Sequence, residues 1–313
     1  MSKFSSVFMP VLESMLNYRQ ALGFSRLSHE ANLISFDRYC AKHNVTTPTL
    51  TESLVWGWIN KQSEQKRTGM SNKAMTIRIL GKYLCAIGQP SYILPDGMFV
   101  SKKTQAPYLF TDAELKALFF MADNLPMSAD VSSTIAPVLF RLIYTCGLRP
   151  NEGRELERRH INFDTGKVLI TKTKRHKERV VVMSDDMLAL CRQYDKRTNP
   201  SGFFFPANGD SPLTNRQMSN MFHDCWCLSH PKTTPLPGVR VYDLRHRFAS
   251  AVLNRWLDED KNLYAMLPYL SAYMGHDTLS ETAYYIHILP ENLVKSAGID
   301  WSAFDGMMPE VNV

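Results

Sequence analysis

The chain has 313 residues, of which 44% are hydrophobic and 21% charged, with a formal net charge of +6. That length and balance allow two domains with cores of their own, exclude a disordered chain, and favour a polyanionic partner. The six cysteines (Cys40, Cys85, Cys146, Cys191, Cys225 and Cys227) sit mostly in apolar helical patterns, and neither a leader-type run nor a membrane-length apolar stretch is visible. A cytoplasmic protein with reduced thiols and no membrane association is therefore expected.

Residues from about 6 to 88 read as four helices. Apolar positions recur at helical spacing in Val11, Leu12, Met15 and Leu16, in Leu33, Phe36 and Cys40, in Leu54, Val55, Trp58 and Ile59, and in Ala74, Ile77, Leu84 and Ile87. Ser28 and Thr51 are the expected N-caps, and Asn44 and Gly88 the expected stops. Lys73, Arg78 and Lys82 on the fourth helix are candidate contacts to a phosphate backbone. Residues 96–108 lose all period and carry turn formers and adjacent lysines, so they are expected to link a helical domain over 1–95 to a second domain over 109–313.

In the second domain Thr111 is expected to cap a helix through Leu115 and Leu118. A further helix, with Pro137 beginning or kinking it, runs through Leu139 and Ile143 towards Arg149. Lys167 to Thr171 and Arg179 to Met183 are β-prone and flank a polar, basic stretch, which predicts a hairpin with a charged tip, crowded by Lys167, Lys172, Lys174, Arg175, Lys177 and Arg179. Helices follow near 185–196, 214–229, 243–257 and 263–274. The fold class is mainly α with a small β-sheet, an α+β arrangement.

Three stretches carry chemistry. Gly147-Leu148-Arg149-Pro150-Asn151-Glu152 and Tyr242-Asp243-Leu244-Arg245-His246 each set an arginine in a helical context. Guanidinium forks match phosphate geometry and stay charged at physiological pH, so Arg149 and Arg245 suit a phosphate clamp. Downstream, Met274-Gly275-His276 is followed nine residues after the histidine by Tyr285, within Thr282-Ala283-Tyr284-Tyr285-Ile286-His287. Read together, these predict tyrosine attack on a DNA phosphate. His223, Cys225, Cys227 and His230 offer four metal-ligand types within eight residues, but Met218, Met221, Phe222 and Cys225 share one helical stripe. That stripe assigns the Cys225 thiol to a core, so no metal is expected there.

In order and spacing these motifs resemble the tyrosine recombinase (phage integrase) family over most of the chain. The resemblance implies an N-terminal helical, SAM-like core-binding domain and a catalytic domain with a C-terminal oligomerisation tail. It assigns catalytic roles to Arg149, Lys174, Tyr242, Arg245, His276 and Tyr285, with Glu152 and His246 in support. Lys174 aligns with the family's hairpin lysine, which protonates the leaving 5′ oxygen, and Lys172 is the alternative. Lys172, Arg175 and Lys177 become candidate DNA contacts. Tyr242 stands where the family most often has histidine, and a phenol is a hydrogen-bond donor to phosphate but a poor base at neutral pH. The implied activity is DNA cutting and rejoining through a 3′-phosphotyrosyl bond for a mobile element, with no cofactor. The implied partners are double-stranded DNA and three further copies of this chain, or related recombinases, in a tetramer. The competing expectation is a catalytically inactive relative that organises DNA.

Overall fold

A computed structural model describes residues 3–60, 67–99, 106–126, 132–171, 178–207, 209, 211–230 and 238–287. The chain divides into two compact units, Met1–Ala106 and Pro107–Val313.

The described part of the first unit contains α1 (Met9–Ala21), α2 (Leu27–Lys42), α3 (Glu52–Asn60) and α4 (Arg67–Ala86). Their apolar stripes meet in one core in which Phe36 packs edge-on against both Phe8 and Trp58. Asn44 and Gly88 end α2 and α4 with positive φ, as expected of helix stops. Thr51 caps α3 by accepting from the Leu54 amide at 3.2 Å. Ser28 does not cap α2. The helix begins at Leu27, its cap position falls on Arg26 without a side-chain bond, and the Ser28 hydroxyl donates to the Ser25 carbonyl. Ile87 also departs from expectation, because it lies past the end of α4 and is exposed.

The second unit contains α5 (Asp112–Asp123), α6 (Ser132–Cys146), α7 (Pro150–Arg154), β1 (Lys167–Ile170), β2 (Arg179–Val182), α8 (Asp185–Thr198), α9 (Asn215–Leu228), α10 (Val241–Asp258), α11 (Leu263–Met274) and α12 (Leu279–His287). α5 opens with a capping box in which the Thr111 hydroxyl accepts from the Glu114 amide while Glu114 accepts from the Thr111 amide. α6 carries Pro137 in its interior and is the central helix, packed against α5, α8, α9 and α10. β1 and β2 pair antiparallel with Lys167 opposite Val182 and Ile170 opposite Arg179. A small separate cluster of Ala249, Val252, Leu253, Leu267, Leu270 and Met274 binds α10 to α11 and also holds Tyr285. This cluster fixes the distance between the second arginine motif and the tyrosine.

Candidate active site

Two helix ends create the site. α6 stops at Gly147, whose φ of +61° favours glycine, and a Cβ there would lie 2.4 Å from Cδ1 of Phe248. The turn delivers Arg149 to the N-cap of α7, where its amide and its Nη1 donate to the Glu152 carboxylate at 2.8 and 2.9 Å. α11 stops at Gly275, also left-handed with φ +68°. Its carbonyl accepts from Nη2 of Arg149. The preceding carbonyl, of Met274, accepts from Nη2 of Arg245 at 2.8 Å, and Nη1 of Arg245 donates to the Gly147 carbonyl at 2.6 Å. Main chain from both helix ends therefore aims the two arginines.

Arg245 is fully buried, and its Nε has no hydrogen-bond partner among the described residues. Burial lowers its pKa, yet guanidinium stays charged across the physiological range. A buried cation with an unused donor is costly unless an anion arrives to meet it.

Glu152 is buried among the guanidinium groups. Burial alone would raise its pKa, but hydrogen bonds and charge from Arg179, followed by Arg149, bring it below the ordinary carboxylate value. Sequence reasoning counted Arg179 among the basic residues crowding the hairpin, at the start of its second strand, and gave it no role at the site. In the fold it turns inward from β2, donates to both Glu152 oxygens, and donates from Nε to the Tyr273 carbonyl at 2.8 Å. A strand's period of two held the signal, because Arg179 shares a face with fully buried Val181 while Val180 and Val182 are exposed.

Tyr285 is only 2% exposed, whereas Tyr284 beside it faces outward. Its hydroxyl lies 3.0 Å from Nδ1 of His246. Burial pushes the phenol up to about 12 against the opposing pull of Arg245, so it is protonated at neutral pH. His276 stacks on Tyr285 with ring centroids 6.1 Å apart and an interplanar angle of 16°, and its Nδ1 lies 2.7 Å from the Thr282 hydroxyl. Burial, then Arg245 and Arg149, lowers His276 to about 3. Tyr242 is half-buried and meets the His246 ring edge to face at 4.8 Å. Arg149, Glu152, Tyr242, Arg245, His246, His276 and Tyr285 thus converge on one place. Lys172, Lys174, Arg175 and Lys177 lie outside the described residues.

Two of the three α4 candidates need correction. Lys73 does not present its ammonium to solvent; it is buried, 5.3 Å over the Trp58 ring, with no hydrogen-bond partner for Nζ among the described residues. Arg78 is committed within its own unit, donating to the carbonyls of Leu94 and Pro95 and pairing with Asp96 at 3.1 Å. Lys82 is exposed.

The Cys225 thiol is buried in the core, while the His230 ring packs tilted against Trp226 with centroids 4.0 Å apart. Among the described residues no group of three His, Cys, Asp or Glu side chains has metal-binding geometry, and no helix is long and apolar enough to cross a membrane.

Comparison with known proteins places this geometry. The phage integrase family model matches residues 109–292. A Sinorhizobium fredii protein named integrase/recombinase y4rB is 28% identical over 309 residues, covering 93% of this chain and 96% of its own length. The tyrosine recombinase XerD of Rickettsia conorii is 23% identical over 305 residues, covering 91% and 95%. Among solved structures, the XerH site-specific recombinase bound to palindromic difH substrate aligns with a TM-score of 0.61 at 19% identity, covering 88% of this chain and 80% of that one. The Tn1549 transposon integrase in complex with transposon right end DNA gives 0.61 at 14% identity, covering 95% and 98%. At such identities the structural likeness is one of fold, but the family match spans more than half of the chain. With a tyrosine seated beside two arginines at the ends of the helices that the family model covers, the chain belongs to the phage integrase family of tyrosine recombinases.

Proposed function

We propose that this protein cuts and rejoins DNA strands at specific sites through a 3′-phosphotyrosyl intermediate formed by Tyr285. The observation that carries the reading is the placement of the Tyr285 hydroxyl, hydrogen-bonded to His246 and within the field of buried Arg245. Arg149 and Arg245 hold the non-bridging oxygens of the scissile phosphate and neutralise charge as it builds in the transition state. Arg245 Nε has a donor to spare for that purpose. His276 presents a neutral ring at the same point, and Lys174 protonates the departing 5′ oxygen. The arginines and lysine supply the positive charge this chemistry requires, and the phosphotyrosyl bond conserves the energy of the phosphodiester for resealing.

The helical first unit holds the duplex through phosphate contacts, with Lys82 among them, and Lys172, Arg175 and Lys177 contact DNA from the hairpin. Four copies assemble on two DNA sites through the residues after Tyr285, for the movement of a mobile element. The mobile-element reading draws support from the integrase relatives. Deleting the residues after Ala297 leaves cleavage of a single site intact and abolishes paired strand exchange; unchanged exchange removes the tail from this role.

The test of the chemistry is covalent trapping on nicked DNA carrying the element's ends, in EDTA, with peptide mapping. An adduct on Tyr285 that is absent from Tyr285→Phe supports the reading. Retained binding with no adduct across the candidate ends assigns the protein instead to DNA organisation.

A further inference from the structure

Attack by Tyr285 requires that its phenol lose a proton, and few groups around it can take one. Arg149, Arg179 and Arg245 are cations without a lone pair to offer. Both oxygens of Glu152 are already taken by Arg149 and Arg179. His276 has its Nδ1 engaged with Thr282 and its ring stacked on that of Tyr285, the planes 16° apart. Tyr242 is itself a phenol, a hydrogen-bond donor and a poor base at neutral pH. Among the described residues there remains His246, whose Nδ1 lies 3.0 Å from the Tyr285 hydroxyl.

We infer that His246 is a catalytic proton acceptor for Tyr285, and that Tyr242 is a positioning residue whose ring edge fixes the plane of that imidazole. The inference rests on the cleavage activity proposed above. It assigns proton transfer to the histidine after the second arginine, in a chain that has tyrosine three residues before that arginine.

The geometry is suited to the task in both directions. His246 is held down to about 4 by burial, with Asp243 opposing and Arg240 and Arg245 assisting. The ring is therefore neutral at physiological pH; with the proton on Nε2, the Nδ1 lone pair faces the phenol. A phosphodiester seated on Arg245 and Arg149 offsets the positive field that depresses the imidazole, so the ring becomes more basic when substrate is in place. In cleavage the bond from the Tyr285 oxygen to phosphorus forms, the bond from phosphorus to the 5′ oxygen breaks, the phenolic proton moves to Nδ1 of His246, and Lys174 protonates the 5′ oxygen. In resealing the 5′-hydroxyl attacks, its proton returns to Lys174, and the departing Tyr285 oxygen recovers its proton from His246.

The test compares single-turnover cleavage and DNA affinity for wild type, His246→Ala, His246→Asn and Tyr242→Phe on nicked DNA. Substrates carry either an ordinary 5′ oxygen or a bridging 5′ sulfur, which needs no acid to depart. His246→Ala is expected to lose about 10²–10⁴-fold in cleavage rate with affinity within about threefold of wild type. Added imidazole restores part of the rate, and the 5′-sulfur substrate restores none, whereas it rescues Lys174→Ala. Tyr242→Phe keeps the ring edge and stays within about tenfold of wild type. His246→Asn retains a polar side chain beside the phenol and guards against misfolding; it is expected to melt and bind like wild type while failing to cleave. Cleavage by His246→Asn or His246→Ala within about threefold of wild type overturns the inference, as does rescue of His246→Ala by the 5′-sulfur substrate. If wild type forms no adduct on either substrate, the recombinase reading itself fails, and this role with it.

Discussion

Arg179 lies across the Glu152 carboxylate with Nη1 2.8 Å from Oε1 and Nη2 2.6 Å from Oε2, although the two residues are 27 positions apart in sequence. Arg149 binds the same carboxylate, and Arg245 approaches to 4.0 Å. Three guanidinium groups around one buried carboxylate leave two positive charges uncompensated, which is the charge state a phosphate clamp needs. Arg179 thereby takes up part of the Glu152 charge that would otherwise fall on Arg149 and Arg245 alone.

Removing Arg179 alone takes the bidentate partner from a buried carboxylate and leaves it with the two bonds from Arg149. Arg179→Met is expected to cost about 3–5 kcal/mol of stability. Pairing it with Glu152→Gln is expected to recover a substantial part of that loss, because the amide needs no counter-charge. A double-mutant cycle by urea denaturation reads the coupling; additive losses for the two substitutions would contradict the pairing.

The same pair sets a pH dependence. The folded-state pKa of Glu152 lies below its ordinary 4.5, so its contribution to stability is present above that value and is lost as pH falls through the folded pKa. Thermal melts from pH 7 down to about pH 3 should show wild type losing more stability than Glu152→Gln. Parallel curves would mean that Glu152 is not held in its ionised form by the fold.

Gly147 and Gly275 are expected to resist alanine for different reasons. Either substitution forces a left-handed backbone at a cost of about 1–2 kcal/mol. At Gly147 the new Cβ also meets the Phe248 ring at 2.4 Å, so Gly147→Ala should be the more destabilising, with Phe248→Leu partly compensating. At Gly275 the Cβ meets Arg179 atoms at 3.0–3.2 Å, and the loss should fall on cleavage as well as on melting temperature. Equal, purely additive effects at both sites would remove these contacts from the account.

Thr282→Val keeps the shape of a fully buried side chain and deletes the hydroxyl 2.7 Å from His276 Nδ1. The expected loss is about 1–3 kcal/mol in stability for the stranded ring nitrogen. The nitrogen chemical shifts of His276 should report a changed tautomer balance, with slower cleavage; unchanged shifts would remove Thr282 as the orienting group.

Lys73→Met exchanges a buried ammonium, without a hydrogen-bond partner among the described residues, for an apolar chain that fills similar space. Burial lowers the Lys73 pKa, so the charged form opposes folding at neutral pH. The substitution is expected to leave the melting temperature unchanged or higher and the salt dependence of DNA binding unaltered. A drop in the salt slope by about one would restore Lys73 as a phosphate contact.

Much of the fold and the core of the candidate site were legible because they rest on local rules. The Thr111 and Glu114 capping box, the positive-φ stops at Asn44 and Gly88, and the β1–β2 pairing each follow from residues close in sequence. The arginines and Tyr285 stood out by motif, and the fold brings them together. Arg179 and Lys73 were misjudged by the assumption that charge means surface. Lys73 in fact continues the buried stripe of Ile77, Leu80 and Leu84 at spacings of four, three and four, and Arg179 continues the inner face of β2. The Ser28 cap failed because α2 begins two residues earlier than that cap implies, at Leu27 with Arg26 in the cap position.

The corner at Met274 and Gly275 also links the site's parts mechanically. Carbonyls of these two adjacent residues carry Arg245 and Arg149, and the helix bearing Tyr285 starts four residues later. Nucleophile and clamp are thus coupled in series through one short, glycine-hinged segment. On the function proposed above, a displacement of α12 would be felt by both arginines by way of the main chain, so nucleophile and phosphate clamp would be disarmed together.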